Sequence, residues 1–269
     1  MKFKIALAQA ISTESFAENL KTAQDYAKKA KRAGASLVVF PELFMSTIAG
    51  KASLAETLDH AQPLNGSFVN GMRELADELQ LWIVFGMRQL NTDPSDSRVK
   101  NTVVIVDDAG QIQGTYQKTH LFDAFGAQES KTVAAGKQLF KPIKTPFGKI
   151  GLFVCYELRF PEIARYQALH DADLIIIPAA WYRGSLKELH WQTLLQARAI
   201  ENTVFVVGCN QPRKDKCIGS SQVVDPFGVP IARAGADEAL VVTEIDLEQI
   251  KKVRQKLPSA KQRQPKLYH

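Results

Sequence analysis

The chain passes from a predicted strand to a predicted helix within the stretch Gly151-Leu152-Phe153-Val154-Cys155-Tyr156-Glu157-Leu158-Arg159-Phe160-Pro161-Glu162. The apolar run 150–154 predicts a buried strand that ends at Cys155. Pro161 then opens a segment with helical spacing, since proline is tolerated in a first helical turn. Strand carboxyl ends gather ligands in α/β sheets, and the backbone amides and dipole of a following helix favour a thiolate. Cys155 is therefore either a nucleophile or, equally in keeping with its position, a small core residue.

Apolar runs and helical spacings alternate along the chain without a linker or a low-complexity segment. Strands are predicted at residues 2–9, 37–40, 81–85, 102–106, 112–117, 174–177, 203–208, 222–224, 230–232 and 239–245. Helices are predicted at residues 16–30, 68–79 and 186–201 and after Pro161. This alternation predicts one α/β domain over residues 1–269, with helices outside the sheets.

Two turn sequences bear on how the sheets are arranged. Asp107-Asp108-Ala109-Gly110 and Asp225-Pro226-Phe227-Gly228 are typical of turns between antiparallel strands. The number of strands is also high for a single open parallel sheet. Two mixed sheets packed face to face, with helices on both outer surfaces, accommodate these strands better.

The composition is that of an ordinary globular protein, with 45% hydrophobic and 23% charged residues. No apolar run approaches the length of a membrane span, and the first residues enter a strand without a cleavable signal. The three cysteines are too few for a disulfide framework and indicate a reducing compartment. We therefore expect a cytoplasmic protein that does not contact a membrane.

The net charge of +6 comes from a basic C-terminal tail, about residues 249–269. This tail holds seven basic and no acidic residues, and removing those seven leaves the rest of the chain at −1. A basic tail is a weak indication of nucleic-acid binding. Two prolines break it and no aromatic platform accompanies it, so we expect no nucleic acid and interpret the tail as solvated or subunit-crossing.

Three polar residues follow predicted buried strands directly. They are Glu42, Lys118 and Cys155, at the ends of the runs 37–40, 112–117 and 150–154. Taken singly, the two charged residues are more often surface charges than catalysts. A thiol, a carboxylate and an ammonium meeting on one side of a sheet are, however, a complete set of groups for acyl transfer.

The segments around these residues resemble the three signature segments of the nitrilase (carbon–nitrogen hydrolase) superfamily, in the same order and spacing. The segments are FPELF at 40–44, YQKTHLF at 116–122 and CYELRFPE at 155–162. The resemblance continues through PAAW at 178–181, ARAIEN at 197–202 and GSSQVVDPFG at 219–228. It implies a four-layer α-β-β-α sandwich that forms homodimers or larger homo-oligomers.

The resemblance also implies roles for individual residues. Cys155 would be the nucleophile, Glu42 the general base and Lys118 the oxyanion stabiliser, with the backbone N–H of Tyr156 as second donor. Glu129 would be a second catalytic glutamate that positions the substrate and Lys118. The loop 123–127 is shorter than in some of these amidases, which leaves the shape of the pocket open.

The Cys155 segment is similar to amidase branches that act on ω-amides of dicarboxylic acids, such as 2-oxoglutaramate, or on deaminated glutathione. We expect a small carboxylate-bearing amide to be hydrolysed to acid and ammonia through a cysteine thioester, without metal or cofactor. Arg159 could bind the substrate carboxylate or form an ion pair with Glu157, Glu162 or Glu201. Trp181 could form a pocket wall or belong to the core. Arg198 and Glu201, three apart on a helix, are expected to pair.

Three other functions are compatible with parts of the sequence. A Cys–His hydrolase would use His120 or His190 as base, although nothing in the sequence places either imidazole near Cys155. A metal enzyme is disfavoured because the histidines and cysteines lack ligand spacing, and Cys209 and Cys217 are isolated. A non-catalytic binding protein on the same fold would tolerate loss of a catalytic residue, and here all are present.

Overall fold

The computed structural model describes residues 1–48, 52–213 and 215–268. The strands within them are β1 (Lys2–Gln9), β2 (Leu37–Val39), β3 (Trp82–Gln89), β4 (Lys100–Val106), β5 (Ile112–Gln117), β6 (Ile143–Thr145), β7 (Gly148–Leu152), β8 (Leu174–Ala179), β9 (Phe205–Asn210), β10 (Gln222–Val224), β11 (Pro230–Arg233) and β12 (Ala239–Asp246). The α-helices are α1 (Phe16–Arg32), α2 (Leu54–Asp59), α3 (Ser67–Leu79), α4 (Pro161–Leu169), α5 (Lys187–Asn202) and α6 (Glu248–Lys256). Short 3₁₀ helices cover Glu129–Lys131, Cys155–Arg159 and Pro265–Leu267.

The described strands form two six-stranded sheets with the same topology. The first sheet has the order β12-β1-β2-β3-β4-β5, and the second has the order β6-β7-β8-β9-β10-β11. In each sheet the second, third and fourth strands are parallel and the remaining pairings are antiparallel. Two successive antiparallel pairings make β5 run in the direction of β2 and β3, so the carboxyl ends of β2 and β5 lie at one edge.

The sheets face each other between two helical layers. Successive side chains of β1 point to opposite faces of the sheet. Ile5 and Leu7 belong to a core cluster shared with the second sheet. Ala6 and Ala8 belong instead to the cluster beneath α1 and α3. Helices α4 and α5 cover the outer face of the second sheet. This arrangement confirms the α-β-β-α sandwich expected from the sequence.

Helix α1 shows how local sequence starts and stops an element. The Ser15 side chain caps its first turn by accepting a hydrogen bond from the Glu18 backbone N–H at 3.3 Å. Alanines spaced along one face of α1 pack on the first sheet. Gly34 follows with a φ of 81°, in the left-handed region that favours glycine after a helix.

The boundaries of the predicted elements agree with the structure to within a few residues, but the sequence patterns do not predict α2, β6 or, in the basic tail, α6. Residues 248–256 form α6, whose Ile250 and Val253 side chains are buried. This segment is solvated on its basic side only, because two apolar residues three apart bury the opposite face. Among the described residues, no helix is sufficiently long and apolar to cross a membrane.

Candidate active site

The backbone around Cys155 is a strained elbow. Strand β7 ends at Leu152, and Cys155 begins the 3₁₀ helix with a φ of 48°. A non-glycine residue in this region costs about 1–3 kcal/mol unless its surroundings hold it there. Glu157 contributes to that support, because its carboxylate accepts a hydrogen bond from the Val154 N–H at 2.7 Å.

Lys118, after β5, is held between two carboxylates. Its Nζ donates to Glu42 Oε1 and to Glu129 Oε2, both at 2.9 Å. Asn101 joins the same carboxylates, because its Nδ2 donates to Glu42 at 2.8 Å and to Glu129 at 3.0 Å. The structure thus brings Glu42, Lys118 and Glu129 together, and Asn101 is a member of the network that sequence reasoning missed.

These contacts determine the charge states of Lys118 and Glu42. Burial alone would lower the pKa of Lys118. The Glu129 and Glu42 carboxylates outweigh burial and raise this pKa well above its ordinary value. Burial raises the pKa of Glu42, but the Lys118 charge and hydrogen bonds from Cys155, Lys118 and Asn101 bring it below the ordinary value. Lys118 is therefore charged and Glu42 ionised at neutral pH.

Glu42 also contacts the second sheet. Its Oε2 accepts a hydrogen bond from the Ala180 N–H, directly after β8, at 2.8 Å. The same carboxylate also acts on the Cys155 thiol, whose pKa its negative charge raises. One carboxylate therefore connects the thiol, the ammonium and the backbone of three different strand ends.

The Cys155 thiol is neutral in this environment. Burial raises its pKa well above the ordinary value and the Glu42 carboxylate raises it further, whereas Lys118 offsets only part of this effect. The expectation that amides and a helix dipole favour a resting thiolate is therefore wrong. Cys155 is 8% exposed and its nearest carboxylate is ionised, which outweighs the dipole of one short 3₁₀ helix.

Glu157 is a buried clamp between the Cys155 elbow and the segment after β5. Its Oε1 accepts hydrogen bonds from the Tyr116 hydroxyl at 2.7 Å and the Thr119 N–H at 2.8 Å. Sequence analysis treated Glu157 only as a partner for Arg159. The contacts that define its role come from residues about 40 positions away, which no local pattern reveals.

Residues expected to bind substrate line a small pocket beside Cys155. Tyr156, Arg159 and Trp181 all line it. Trp181 is also buried, and its Nε1 donates to the Lys187 carbonyl at 3.0 Å, so it belongs to both the core and the pocket wall. Lys187 lines the pocket too, and sequence reasoning missed it.

Arg159 forms none of the three ion pairs considered for it among the described residues. Its guanidinium lies 4.8 Å above the Trp181 ring, and Nη2 donates to His190 Nδ1 at 3.4 Å. Glu201 pairs instead with Arg198 at 3.1 Å, as expected from their helical spacing. Arg159 therefore faces the pocket without a neutralising carboxylate in the described part of the chain.

The two histidines considered as a base for Cys155, His120 and His190, contact other residues. His120 Nδ1 lies 2.8 Å from Thr119 Oγ1 and 3.7 Å from Glu157, while His190 faces Arg159. Cys209 and Cys217 are buried and unpaired. Across residues 1–48, 52–213 and 215–268, no three His, Cys, Asp or Glu side chains form a group that could hold a metal ion.

The chain is similar to known proteins over nearly its whole length. A family model described as carbon–nitrogen hydrolase matches residues 4–255. The chain is 36% identical to a deaminated glutathione amidase of Escherichia coli O157:H7, over 94% of each chain. The crystal structure of the Caenorhabditis elegans NitFhit protein is 30% identical, has a TM-score of 0.89 and covers 100% of this chain, which spans 66% of NitFhit.

A third comparison concerns the reactive cysteine. A mutant amidase from Nesterenkonia sp. AN1 is 25% identical with a TM-score of 0.78, over 99% of this chain and 95% of that one. Its structure shows covalent addition of the acetamide moiety of fluoroacetamide at the active-site cysteine of that amidase.

Proposed function

The chain belongs to the carbon–nitrogen hydrolase family, and on that premise we propose that it hydrolyses a small carboxylate-bearing amide through a Cys155 thioester. The observation that carries this proposal is the Glu42 carboxylate, which accepts a hydrogen bond from the Lys118 ammonium and shares one cleft with Lys118 and Cys155. These are the nucleophile, base and cation that acyl transfer requires. The cysteine addition seen in the Nesterenkonia amidase supports the choice of nucleophile.

In the first step the Cys155 sulfur attacks the amide carbon and its proton passes to Glu42. The neutral resting thiol makes this transfer necessary, and the ionised carboxylate makes it feasible. The new C–S bond leaves a tetrahedral oxyanion, stabilised by Lys118 and the Tyr156 N–H. Each preorganised donor of this kind contributes about 3–4 kcal/mol to transition-state stabilisation.

In the second step protonated Glu42 donates its proton to the departing nitrogen and the C–N bond breaks. The acyl group remains on Cys155 as a thioester. Glu42, ionised again, removes a proton from water, which attacks the thioester and releases the acid. The S–C bond breaks and the thiol recovers its proton from Glu42. Glu129 holds Lys118 in place throughout, through the 2.9 Å contact.

Two substrates fit the proposed chemistry. The sequence first suggested an ω-amide such as 2-oxoglutaramate, with release of ammonia. The names of the relatives at about 35% identity favour deaminated glutathione, the alternative suggested with it. In that molecule the γ-amide lies between carboxylates, and the leaving group is a dipeptide. We propose deaminated glutathione as the preferred substrate and ω-amides as secondary ones.

Purified protein incubated with deaminated glutathione, 2-oxoglutaramate, succinamate, glutamine and simple nitriles tests this proposal. We expect 2-oxoglutarate from the first two and the highest kcat/KM for deaminated glutathione. Ammonia release only from nitriles would overturn the amidase assignment. No turnover of any compound by protein with an alkylatable Cys155 would instead favour a non-catalytic binding protein.

We also propose a cytoplasmic homodimer that binds neither nucleic acid nor membranes. The three unpaired cysteines support a reducing compartment. Dimerisation is supported by exposed apolar side chains on α5 and on the β10–β11 turn, which are Leu189, Ile200, Phe227 and Val229. The turn packs on α5, because Gln196 Nε2 donates to the Gly228 carbonyl at 2.8 Å. Exposed apolar side chains on two neighbouring elements are a feature of subunit interfaces.

A further inference from the structure

Lys187, the first residue of α5, is a buried cation in the pocket of Cys155. The residue is 6% exposed, whereas lysines are among the residues least often buried without a partner. It lines both the small pocket beside Cys155 and the wider cleft that contains Glu42 and Lys118. Its position at the N-terminus of a 16-residue helix adds the positive end of the helix dipole.

The Lys187 ammonium is held by aromatic rings. Nζ lies 3.5 Å from the ring centroid of Phe125, 5.6 Å from that of Phe122 and 5.8 Å from that of Trp181. In the described part of the chain it forms no ion pair with a carboxylate. Ring faces attract a cation without neutralising it, so a positive charge is retained inside the pocket.

A second cation strengthens this effect. Arg159 lines the same pocket, and its Nε has no hydrogen-bond partner in the described residues. Burial lowers the pKa of Lys187 and the Arg159 charge lowers it further, so the two cations repel each other. An anion bound beside both would remove that repulsion and replace the lost hydration.

We propose that Lys187 binds a carboxylate of the substrate and, together with Arg159, makes the site selective for anionic amides. This inference rests on the proposed amidase function and adds a specificity-determining residue to it. Since Lys187 and Cys155 line the same small pocket, we expect the carboxylate and the scissile carbonyl of the substrate to lie only a few bonds apart. Monoamides of short dicarboxylic acids, and deaminated glutathione, meet this requirement.

Alkylation of Cys155 tests the inference without any turnover. Iodoacetate and iodoacetamide attach similar groups by the same reaction, in which the sulfur displaces iodide, but only iodoacetate is anionic. The rates at Cys155, followed by peptide mass spectrometry, are compared in wild type, Lys187→Met and Lys187→Arg. Lys144→Met removes a lysine from the exposed face of β6 and serves as the matched control.

We expect Lys187→Met to lower the rate of Cys155 alkylation by iodoacetate roughly tenfold or more, which is the scale of one lost charged hydrogen bond. The rate with iodoacetamide should change by less than about twofold. Lys187→Arg and Lys144→Met should keep the wild-type ratio. In amidase assays, Lys187→Met should raise KM for succinamate by a larger factor than KM for the neutral amide butyramide.

An unchanged rate ratio in Lys187→Met, or equal slowing by both reagents with normal thermal unfolding, would overturn the inference. Should Lys187→Met fail to fold, Lys187→Gln replaces it in the same comparison. Failure of the amidase function is distinguishable, since the alkylation ratio is measured whether or not any amide is hydrolysed.

Discussion

Nζ of Lys118 lies 2.9 Å from Oε1 of Glu42, although 76 residues separate the two along the chain. Both side chains are almost fully buried, at 2% and 4% exposure. Each group keeps the other charged, so the thiol beside them is the neutral member of the site. In the mechanism that we propose, the proton that passes to Glu42 therefore begins on sulfur.

Cys155→Ala should abolish amide hydrolysis and leave the fold intact, because the side chain is small and its removal leaves the ion pair between Glu42 and Lys118 in place. Cys155→Ser should also be inactive, since a hydroxyl is a much weaker nucleophile at this position. Product release from deaminated glutathione and thermal unfolding of both variants check this. Unchanged hydrolysis by Cys155→Ala would refute the assignment of the nucleophile.

Glu42→Gln should lower kcat/KM by about 10²–10⁴-fold, the usual contribution of a general base. The amide cannot accept the thiol proton, so the first step loses its base. Steady-state kinetics and the alkylation rate of Cys155 report the effect. Gln111→Ala, at an exposed turn, is a control that should have wild-type activity. Full activity of Glu42→Gln would exclude Glu42 as the general base.

The pH dependence of kcat/KM should have a wide plateau. Glu42 must be ionised to accept the proton, and its pKa is lowered from 4.5, so activity falls only as the pH drops below that value. Lys118 must be charged, and its pKa is raised well above 10.5, so it imposes no alkaline loss near neutrality. Initial rates after a brief pH jump, with circular dichroism as a control for unfolding, measure this. An acid limb centred near pH 6 would contradict the charge states described above.

Glu157→Gln should destabilise the protein by about 3 kcal/mol, the lower range for breaking a buried charged network. The free energy of unfolding in urea, measured beside Glu162→Gln on the exposed first turn of α4, tests this. Hydrogen bonds and His120 lower the pKa of Glu157 despite its burial. The stabilisation that the Glu157 carboxylate gives to the folded protein is therefore complete above the unfolded-state pKa of Glu157. It is lost as the pH falls through the folded-state pKa. The difference between wild type and Glu157→Gln should shrink in acid; a constant difference would exclude this linkage.

Gly86→Ala should impair catalysis although Gly86 carries no chemical group. A Cβ at this position would overlap the Leu43 backbone nitrogen and lie 2.7 Å from Glu42 Cα. Displacing Glu42 by about 1 Å would lower kcat/KM by roughly 10²-fold. Gly235→Ala is the matched control, because nothing lies within 4 Å of its added Cβ. Equal activity of the two variants would show that the Glu42 backbone can move without consequence.

Leu189→Glu should shift the proposed homodimer towards monomer by placing a charge on the exposed apolar face of α5. Light scattering after size exclusion gives the mass directly, against 29.8 kDa for one chain. Ile112→Glu on β5 introduces the same charge at a similarly exposed apolar residue of the first sheet and should not change the mass. A monomeric wild type would remove the basis of this prediction.

Most elements of this fold could be predicted locally. Apolar alternation in β1 and alanine spacing in α1 show which faces are buried, because strand and helix periods differ. Local sequence also shows that Glu42, Lys118 and Cys155 each follow a strand. It does not show α6, where basic residues obscure two buried apolar positions.

Local sequence patterns therefore account for the layers, for the position of each polar residue at a strand end, and for the family resemblance that assigns chemistry to these residues. Which residues meet in space depends on the packing of the two sheets. The Glu157 clamp and the aromatic surroundings of Lys187 join positions remote in the chain. Charge states depend on this packing too, because desolvation and neighbouring charges act through space, and for Cys155 they reverse what its local position suggests.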